Sequence, residues 1–255
     1  MTKVVSDAAA AVADVASGSS VAVGGFGLCG IPTVLLHALL DQGAGDLTVV
    51  SNNCGVDGAG LGLLLEAGRV SRVIASYVGE NKEFARQYLA GELTVELTPQ
   101  GTLAERLRAG GSGIPAFYTP TGVGTQVADG GLPFRYHPDG TIAESSPAKE
   151  VREFGGRKVV LEHGITTDIA LVRAAVADTD GNLRFHAAAR NFNVPVAMAG
   201  AITIVEAEQV VPAGELGPDD IHLPGIFVQR VVELTAAQAA DKGIEKRTVR
   251  TREDG

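Results

Sequence analysis

Gly24-Gly25-Phe26-Gly27-Leu28-Cys29-Gly30-Ile31-Pro32 joins the apolar run Ser20 to Val23 to a second apolar run, Thr33 to Leu40, so the fold is decided at a glycine-dense strand-to-helix junction. Glycine has no Cβ and enters the positive-φ region freely, which lets backbone N–H groups approach a ligand closely. Pro32 suits the first helical position, where its missing N–H would be unpaired anyway. A helix start also carries unpaired donors and partial positive charge, a setting for an anion or a polarised carbonyl.

Outward from the junction the alternation of strand and helix continues. Ser6 or Asp7 is placed to cap a first helix running to Val15, and Ser17-Gly18-Ser19 turns into the strand. Gln42-Gly43-Ala44-Gly45-Asp46 stops the next helix, and Leu47 to Val50 reads as a buried strand. Helices are expected over 61–66 and 82–89, and strands over 70–77 and 94–97. This repetition predicts an α/β fold, an open, mainly parallel sheet flanked by helices. Thr102-Leu103-Ala104-Glu105 has the spacing of a capping box, so a helix is expected from there to Ala109, with Gln100 just ahead of it. Residues 126–156 are rich in Gly, Pro, Ser and charge and show weak periodicity, which predicts a long loop or small excursion able to serve as a flap or lid. Strands resume over 158–161, 169–176 and 201–205. Residues 1–240 are expected to form one domain and 241–255 a charged surface tail, without internal repeats.

With 255 residues, 45% of them hydrophobic and 20% charged, the chain has enough apolar material for a full core. A formal charge of -9 disfavours nucleic acid or an anionic membrane as partner, while leaving room for a local basic patch that holds a phosphate-bearing ligand. Cys29 and Cys54 form no Cys-x-x-Cys and read as reduced packing residues, which with the absence of a signal-like start predicts a cytoplasmic protein. No apolar run reaches the roughly 20 residues that span a bilayer.

Three polar or glycine-rich junctions follow strands directly: Gly24 to Gly30, Ser51-Asn52-Asn53, and Thr98-Pro99-Gln100-Gly101. In an open parallel sheet the carboxyl ends of the strands share one edge, so the three should meet there. They bring backbone N–H groups and neutral amides, a set that holds a carbonyl or oxyanion without protonating it. Two other ligands are tested by the same residues. Gly25-x-Gly27-x-x-Gly30 satisfies the dinucleotide fingerprint, which makes a nicotinamide-dependent oxidoreductase the competing reading, yet the second strand ends in Ser51-Asn52-Asn53 where a ribose-binding carboxylate belongs. The phosphate-loop pattern fails at Ile31-Pro32, which stand in place of Lys-Ser/Thr. There is no Gly-x-Ser-x-Gly elbow, and the five histidines show no metal-ligand spacing, so no metal is expected. A donor set without a nucleophile reads as half of a site.

Gly24 to Pro32, Ser51 to Asp57, Tyr77-Val78-Gly79-Glu80-Asn81-Lys82, Thr98 to Arg108 and Ala189-Arg190-Asn191-Phe192-Asn193 together resemble the A-type subunit of the family I coenzyme A transferases over nearly the whole chain. Gly-Gly-Phe-x-x-x-Gly-x-Pro is the signature of that subunit type; the family's Asp-Gly ahead of the first strand is replaced by Gly18-Ser19-Ser20. The resemblance implies transfer of coenzyme A from succinyl-CoA to a 3-oxo acid such as acetoacetate, with 3-oxoadipate or a short fatty acid such as acetate as alternative acceptors. It places Gly24, Gly25, Phe26, Gly27, Leu28, Cys29 and Gly30 against coenzyme A, and Asn52, Asn53 and Gln100 in the active centre, Gln100 as an oxyanion donor. Coenzyme A is then substrate and covalent intermediate, with no permanently bound cofactor. The nucleophile is a glutamate of the B-type subunit, which implies a partner polypeptide in an assembly of two A-type and two B-type subunits. Other readings stay open beside these. Asn52 and Asn53 could cap a turn, Gln100 could face solvent, and Glu80 with Lys82 could be an exposed pair or part of an interface or site. A non-catalytic regulator binding acyl-CoA or sugar phosphate is a further alternative.

Overall fold

The computed structural model describes residues 2–242, so the charged tail expected over 241–255 lies, from residue 243 on, outside the described residues. The strands are β1 (Ser20–Val23), β2 (Leu47–Val50), β3 (Val70–Ala75), β4 (Thr94–Leu97), β5 (Ala116–Thr119), β6 (Pro133–Tyr136), β7 (Ile142–Ser145), β8 (Val151–Phe154), β9 (Arg157–His163), β10 (Thr167–Ala174), β11 (Val176–Asp178), β12 (Leu183–Arg184), β13 (Gly200–Ala207), β14 (Val210–Val211) and β15 (Arg230–Glu233). The helices are α1 (Ala8–Val12), α2 (Thr33–Gln42), α3 (Gly62–Glu66), α4 (Lys82–Leu89), α5 (Gln100–Gly111), α6 (Gln126–Asp129), α7 (Asn193–Ala199) and α8 (Ala236–Ala240).

Seven strands form the main sheet in the order β15-β13-β10-β1-β2-β3-β4. Every pairing within it is parallel, as the α/β expectation requires. From β1 the chain winds one way to β4, then returns to β10 and winds the other way to β15. The order therefore reverses between β1 and β10, and at such a reversal the loops leaving the two strands diverge and open a crevice. The sheet is apolar on both faces, as parallel sheets are. Val21, Val23, Val49 and Val73 pack with Leu35, Leu36 and Leu39 of α2, Leu64 of α3 and Phe84 of α4 on one face. Ala22, Val172 and Val205 pack with Leu103 and Leu107 of α5 and Val196 of α7 on the other.

The helix ends follow local chemistry. Asp7 accepts from the Ala10 N–H at 2.8 Å and starts α1. That helix stops at Val12, short of the expected Val15: the Val15 N–H turns back to the Val12 carbonyl at 3.0 Å, and Arg230, paired with Asp14, donates to the Ala11 carbonyl at 2.6 Å. The expected capping box at Thr102 does not form. Pro99 ends the extended segment and its carbonyl accepts from the Leu103 N–H at 2.8 Å, so α5 begins at Gln100. Glu105 then accepts from Arg108, and the buried Thr102 hydroxyl has no partner among the described residues.

Residues 116–163 contain four short strands and a longer one rather than a bare loop, and β6 and β7 pair with each other while β5, β9 and β8 form a second small sheet. The excursion is fixed along the β4 side of the main sheet. The Tyr88 hydroxyl donates to the Pro133 carbonyl at 2.6 Å, Arg135 donates to the Gly91 carbonyl at 3.0 Å, and the Arg72 guanidinium lies 5.9 Å from the centre of the Phe134 ring. A Cβ on Gly91 would fall 2.1 Å from the Tyr136 carbonyl oxygen. The segment is thus the small excursion the sequence predicts, and these contacts make it a cover for an edge strand, which would otherwise present unpaired backbone groups.

Candidate active site

The glycine junction begins where β1 ends. The Gly24 N–H donates to the Leu171 carbonyl at 2.9 Å, extending the β1–β10 pairing to the reversal point. Phe26 and Cys29 then exchange two backbone bonds of 3.0 and 3.1 Å, closing a hairpin whose turn is Gly27-Leu28. Gly25, Gly27 and Gly30 have φ of 104, 62 and 69°, conformations that a side chain would strain. The N–H groups of Gly25, Gly27 and Leu28 donate to no protein acceptor among the described residues. Phe26 is exposed at the hairpin's rim.

The donors at the start of α2 are not available, contrary to the sequence-based expectation. Glu206, at the carboxyl end of β13 and fully buried, accepts from the Leu35 N–H at 2.9 Å. Its other oxygen faces Arg173 at 3.4 Å. Burial pushes this carboxyl up to about 7, against the opposing pull of the Leu35 N–H and of Arg173. An internal carboxylate thus holds the place where a pyrophosphate would sit in a dinucleotide site. The crevice beside it is filled as well, by the segment Ala187 to Asn193, which weakens the oxidoreductase reading further.

The amide corners do meet. Ser51 donates its hydroxyl to the Val23 carbonyl at 2.9 Å, tying the end of β2 to the root of the glycine loop. Asn52 is 2% exposed, and its Oδ1 accepts from the Ser76 hydroxyl at 2.9 Å and from Gln100 Nε2 at 3.0 Å. Its Nδ2 has no protein acceptor among the described residues. The exposed Gln100 opens α5 and keeps a second Nε2 hydrogen unused by this bond. Asn53 behaves as a turn residue, its Oδ1 accepting from the Gly55 N–H at 3.3 Å. The end of β2 therefore offers one amide, held by two neighbours with its donor end free.

A second hairpin follows β2. Val56 and Ala59 exchange bonds of 3.3 and 3.1 Å, and Gly55, Gly58 and Gly60 all have positive φ, so the loop repeats the geometry of the first. A Cβ on Gly60 would fall 2.9 Å from Leu28 Cδ2 and from Ile31 Cδ1, which places the hairpins side by side. This one is closed by its own chain: the Gly58 N–H donates to Glu66 at 2.6 Å, Asp57 accepts from the Glu83 N–H, and Asn81 donates to the Cys54 carbonyl. It buttresses the first loop. Burial pushes the Cys54 thiol up to about 12, which fits packing and not nucleophilic work. Glu80 and Lys82 are both outside the core and form no ion pair with each other among the described residues.

Sequence reasoning missed the groups behind the glycine loop. Asn193 donates to the Gly30 and Ala189 carbonyls, and Asn191 donates to the Cys29 carbonyl at 3.1 Å. Their only signal was the run Ala189 to Asn193, which carried resemblance but no role. Glu206 left no signal at all, because a lone glutamate in an apolar strand acquires its meaning from the helix it caps.

The chain's resemblances agree with this geometry. Residues 5–234 match the family model Coenzyme A transferase. A probable succinyl-CoA:3-ketoacid coenzyme A transferase of Mycobacterium tuberculosis, in its A-type subunit, is 64% identical over 250 residues, covering 98% of this chain and 100% of the relative. Human succinyl-CoA:3-ketoacid coenzyme A transferase 2, mitochondrial, is 54% identical over 96% of this chain, which spans 47% of that longer protein. Among solved structures, glutaconate coenzyme A-transferase from Acidaminococcus fermentans superposes with a TM-score of 0.76 at 26% identity, covering 94% of this chain and 77% of the other.

Proposed function

The chain belongs to the coenzyme A transferase family, and from that membership we propose that it is the A-type subunit of an enzyme moving coenzyme A from succinyl-CoA to a 3-oxo acid, acetoacetate being the candidate acceptor. The observation that carries this reading is the Asn52–Gln100 pair: two neutral amides meet beside a loop of free N–H groups, with no nucleophile among them. Such a set stabilises negative charge on oxygen and cannot attack carbon. The attacking carboxylate then comes from a second polypeptide, for which the family resemblance supplies a glutamate of the B-type subunit. The human relative, about twice this chain's length, suits a second half joined in one chain.

In this mechanism the partner's carboxylate adds to the thioester carbonyl, and the carbonyl oxygen becomes an oxyanion facing Asn52 Nδ2 and the free Gln100 hydrogen. Collapse expels the coenzyme A thiolate and leaves a mixed anhydride. The thiolate attacks the glutamyl carbonyl of that anhydride, releases succinate and forms a glutamyl-CoA thioester. The 3-oxo acid carboxylate then repeats the steps in reverse. Gly25, Gly27 and Leu28 offer their N–H groups to the acyl-CoA along the loop. Binding energy from the pantetheine and nucleotide, remote from the reacting carbon, is available to press that carbon against the donors.

The test is to express the chain with its B-type partner, in the expected assembly of two copies of each, and to follow acetoacetyl-CoA formation. Each protein alone should be inactive and the pair active. Activity from this chain alone would refute the divided site, and a panel of acetoacetate, 3-oxoadipate and acetate assigns the acceptor.

A further inference from the structure

We propose that Asn193 is the positioning residue of the glycine loop, fixing the conformation in which the Gly25, Gly27 and Leu28 donors are left free; this rests on the reading that the loop contacts acyl-CoA. Asn193 opens α7 at the reversal point of the sheet and is 0% exposed. Its Nδ2 donates to the Gly30 carbonyl at 2.9 Å and to the Ala189 carbonyl at 2.8 Å, and its Oδ1 accepts from the Arg173 N–H of β10 at 3.1 Å. One side chain thus joins the far end of the loop to the strand on the other side of the crevice.

The glycines at the two ends of the loop are shaped around this amide. A Cβ on Gly24 would fall 2.0 Å from Asn193 Oδ1, and one on Gly30 would fall 3.0 Å from Asn193 Nδ2 and 2.7 Å from the Ala189 carbonyl oxygen. Gly24 is not in the positive-φ region, so its backbone does not demand glycine; the Asn193 contact does. The segment bearing Asn193 is itself held in a demanding shape, since Ala187 has a φ of 44°. Among the described residues the loop's own internal bonds are the two between Phe26 and Cys29. Its near end is tied to β10 through the Gly24 N–H, and at its far end Asn193 and Asn191 are among the groups that hold it, through the Gly30 and Cys29 carbonyls.

Asn193→Asp keeps the acceptor for the Arg173 N–H and sets a carboxylate against two carbonyl oxygens, while Gly24→Ala displaces the same amide with Asn193 intact. In the complex with the B-type partner, both variants should raise KM for succinyl-CoA about tenfold or more, the effect of losing one or two buried bonds, with KM for the acid acceptor unchanged. Amide hydrogen exchange should quicken in 24–30 and not in the neighbouring hairpin 55–60. That pattern separates positioning from a general loss of structure, which would move both hairpins and both KM values. A folded Asn193→Asp complex with unaltered exchange in 24–30 overturns the role given to Asn193. Faster exchange with an unaltered succinyl-CoA KM overturns instead the reading of the loop as a ligand contact, and the positioning role with it. Should Asn193→Asp fail to fold, Gly24→Ala decides by the same two readouts.

Discussion

Replacing Asn52 and Gln100 by alanine, singly and together, tests the proposed chemistry most directly. Asn52 Oδ1 accepts bonds of 2.9 Å from Ser76 and 3.0 Å from Gln100, so the Asn52→Ala variant loses both. At roughly 1 kcal/mol net for each, the loss is about 2 kcal/mol, well inside the 5–15 kcal/mol by which domains are ordinarily stable. The fold should survive. Turnover should not, because removing one preorganised oxyanion donor ordinarily lowers kcat by about 10²–10³. Gln100 is exposed and so a less preorganised donor than the buried Asn52; Gln100→Ala should cost less, about tenfold to a hundredfold, by letting the Asn52 amide swing and by removing its own free hydrogen. Once Asn52 is absent, the orienting part of that effect has nothing to act on. The double variant should therefore be less impaired than the product of the singles, with a coupling of about 1–2 kcal/mol. The assay is kcat for acetoacetyl-CoA formation by the complex, with thermal unfolding of each variant as control. Strict additivity would make the two amides independent, and near-normal turnover of Asn52→Ala would remove the oxyanion reading altogether.

Other parts of the structure carry expectations of their own. Because Glu206 is raised from 4.5 to about 7 in the fold, its neutral form is favoured there; that stabilisation is full below about 4.5 and is lost as pH rises through about 7. Glu206→Gln should accordingly flatten the fall in stability over that interval, whose slope for one proton is at most about 1.4 kcal/mol per pH unit, and denaturant midpoints at pH 5 and pH 8 measure the difference. Gly30→Ala would hold a side chain at a φ of 69° with its Cβ 2.7 Å from a backbone oxygen, and should lower stability by about 2 kcal/mol or more in the same unfolding measurement. Tyr88→Phe removes the bond to the Pro133 carbonyl and should cost about 1 kcal/mol of stability while leaving kcat and both KM values unchanged; a shift in either KM would restore the excursion as a moving lid.

What the sequence disclosed follows from the range over which each signal acts. The strands β1, β2 and β4 and the helix α4 were legible to the residue, the strands because each is a short apolar run closed by turn residues; that Asn81 starts α4 by accepting from the Phe84 N–H is seen only in the structure. The start of α5 was misplaced because the capping-box spacing at Thr102 competes with Pro99, and the proline's carbonyl closes the first turn earlier. The excursion was legible as a departure from the main sheet, but its internal strands and its docking were not. Its strands are four to seven residues long, mostly solvent-facing and hence without strong alternation, and the contacts that fix them reach across to Tyr88 and Gly91, more than 40 positions away. The meeting of Asn52 with Gln100 was legible because strand ends in a parallel sheet share an edge, whereas the choice of Asn52 over Asn53 as the free donor depended on Ser76 and Gly55 and could only be seen in three dimensions.

The glycine junction carries the deeper lesson about reading such motifs. Its pattern of glycines is shared with dinucleotide folds because both need a tight turn and close backbone approach after a first strand. What the helix behind the turn does with its exposed N–H groups is decided elsewhere in the chain. Here β13 delivers Glu206 into that position, and the neighbouring crevice is taken by the segment that ends at Asn193. With the Glu206 carboxyl already seated at the head of α2 and accepting its Leu35 N–H, that place is taken, whereas the hairpin keeps N–H groups without a protein acceptor among the described residues and has the Asn52 amide near its root. A neutral donor field of this kind suits an oxygen that becomes negative only during reaction, which is the need of thioester exchange and not that of a resident pyrophosphate.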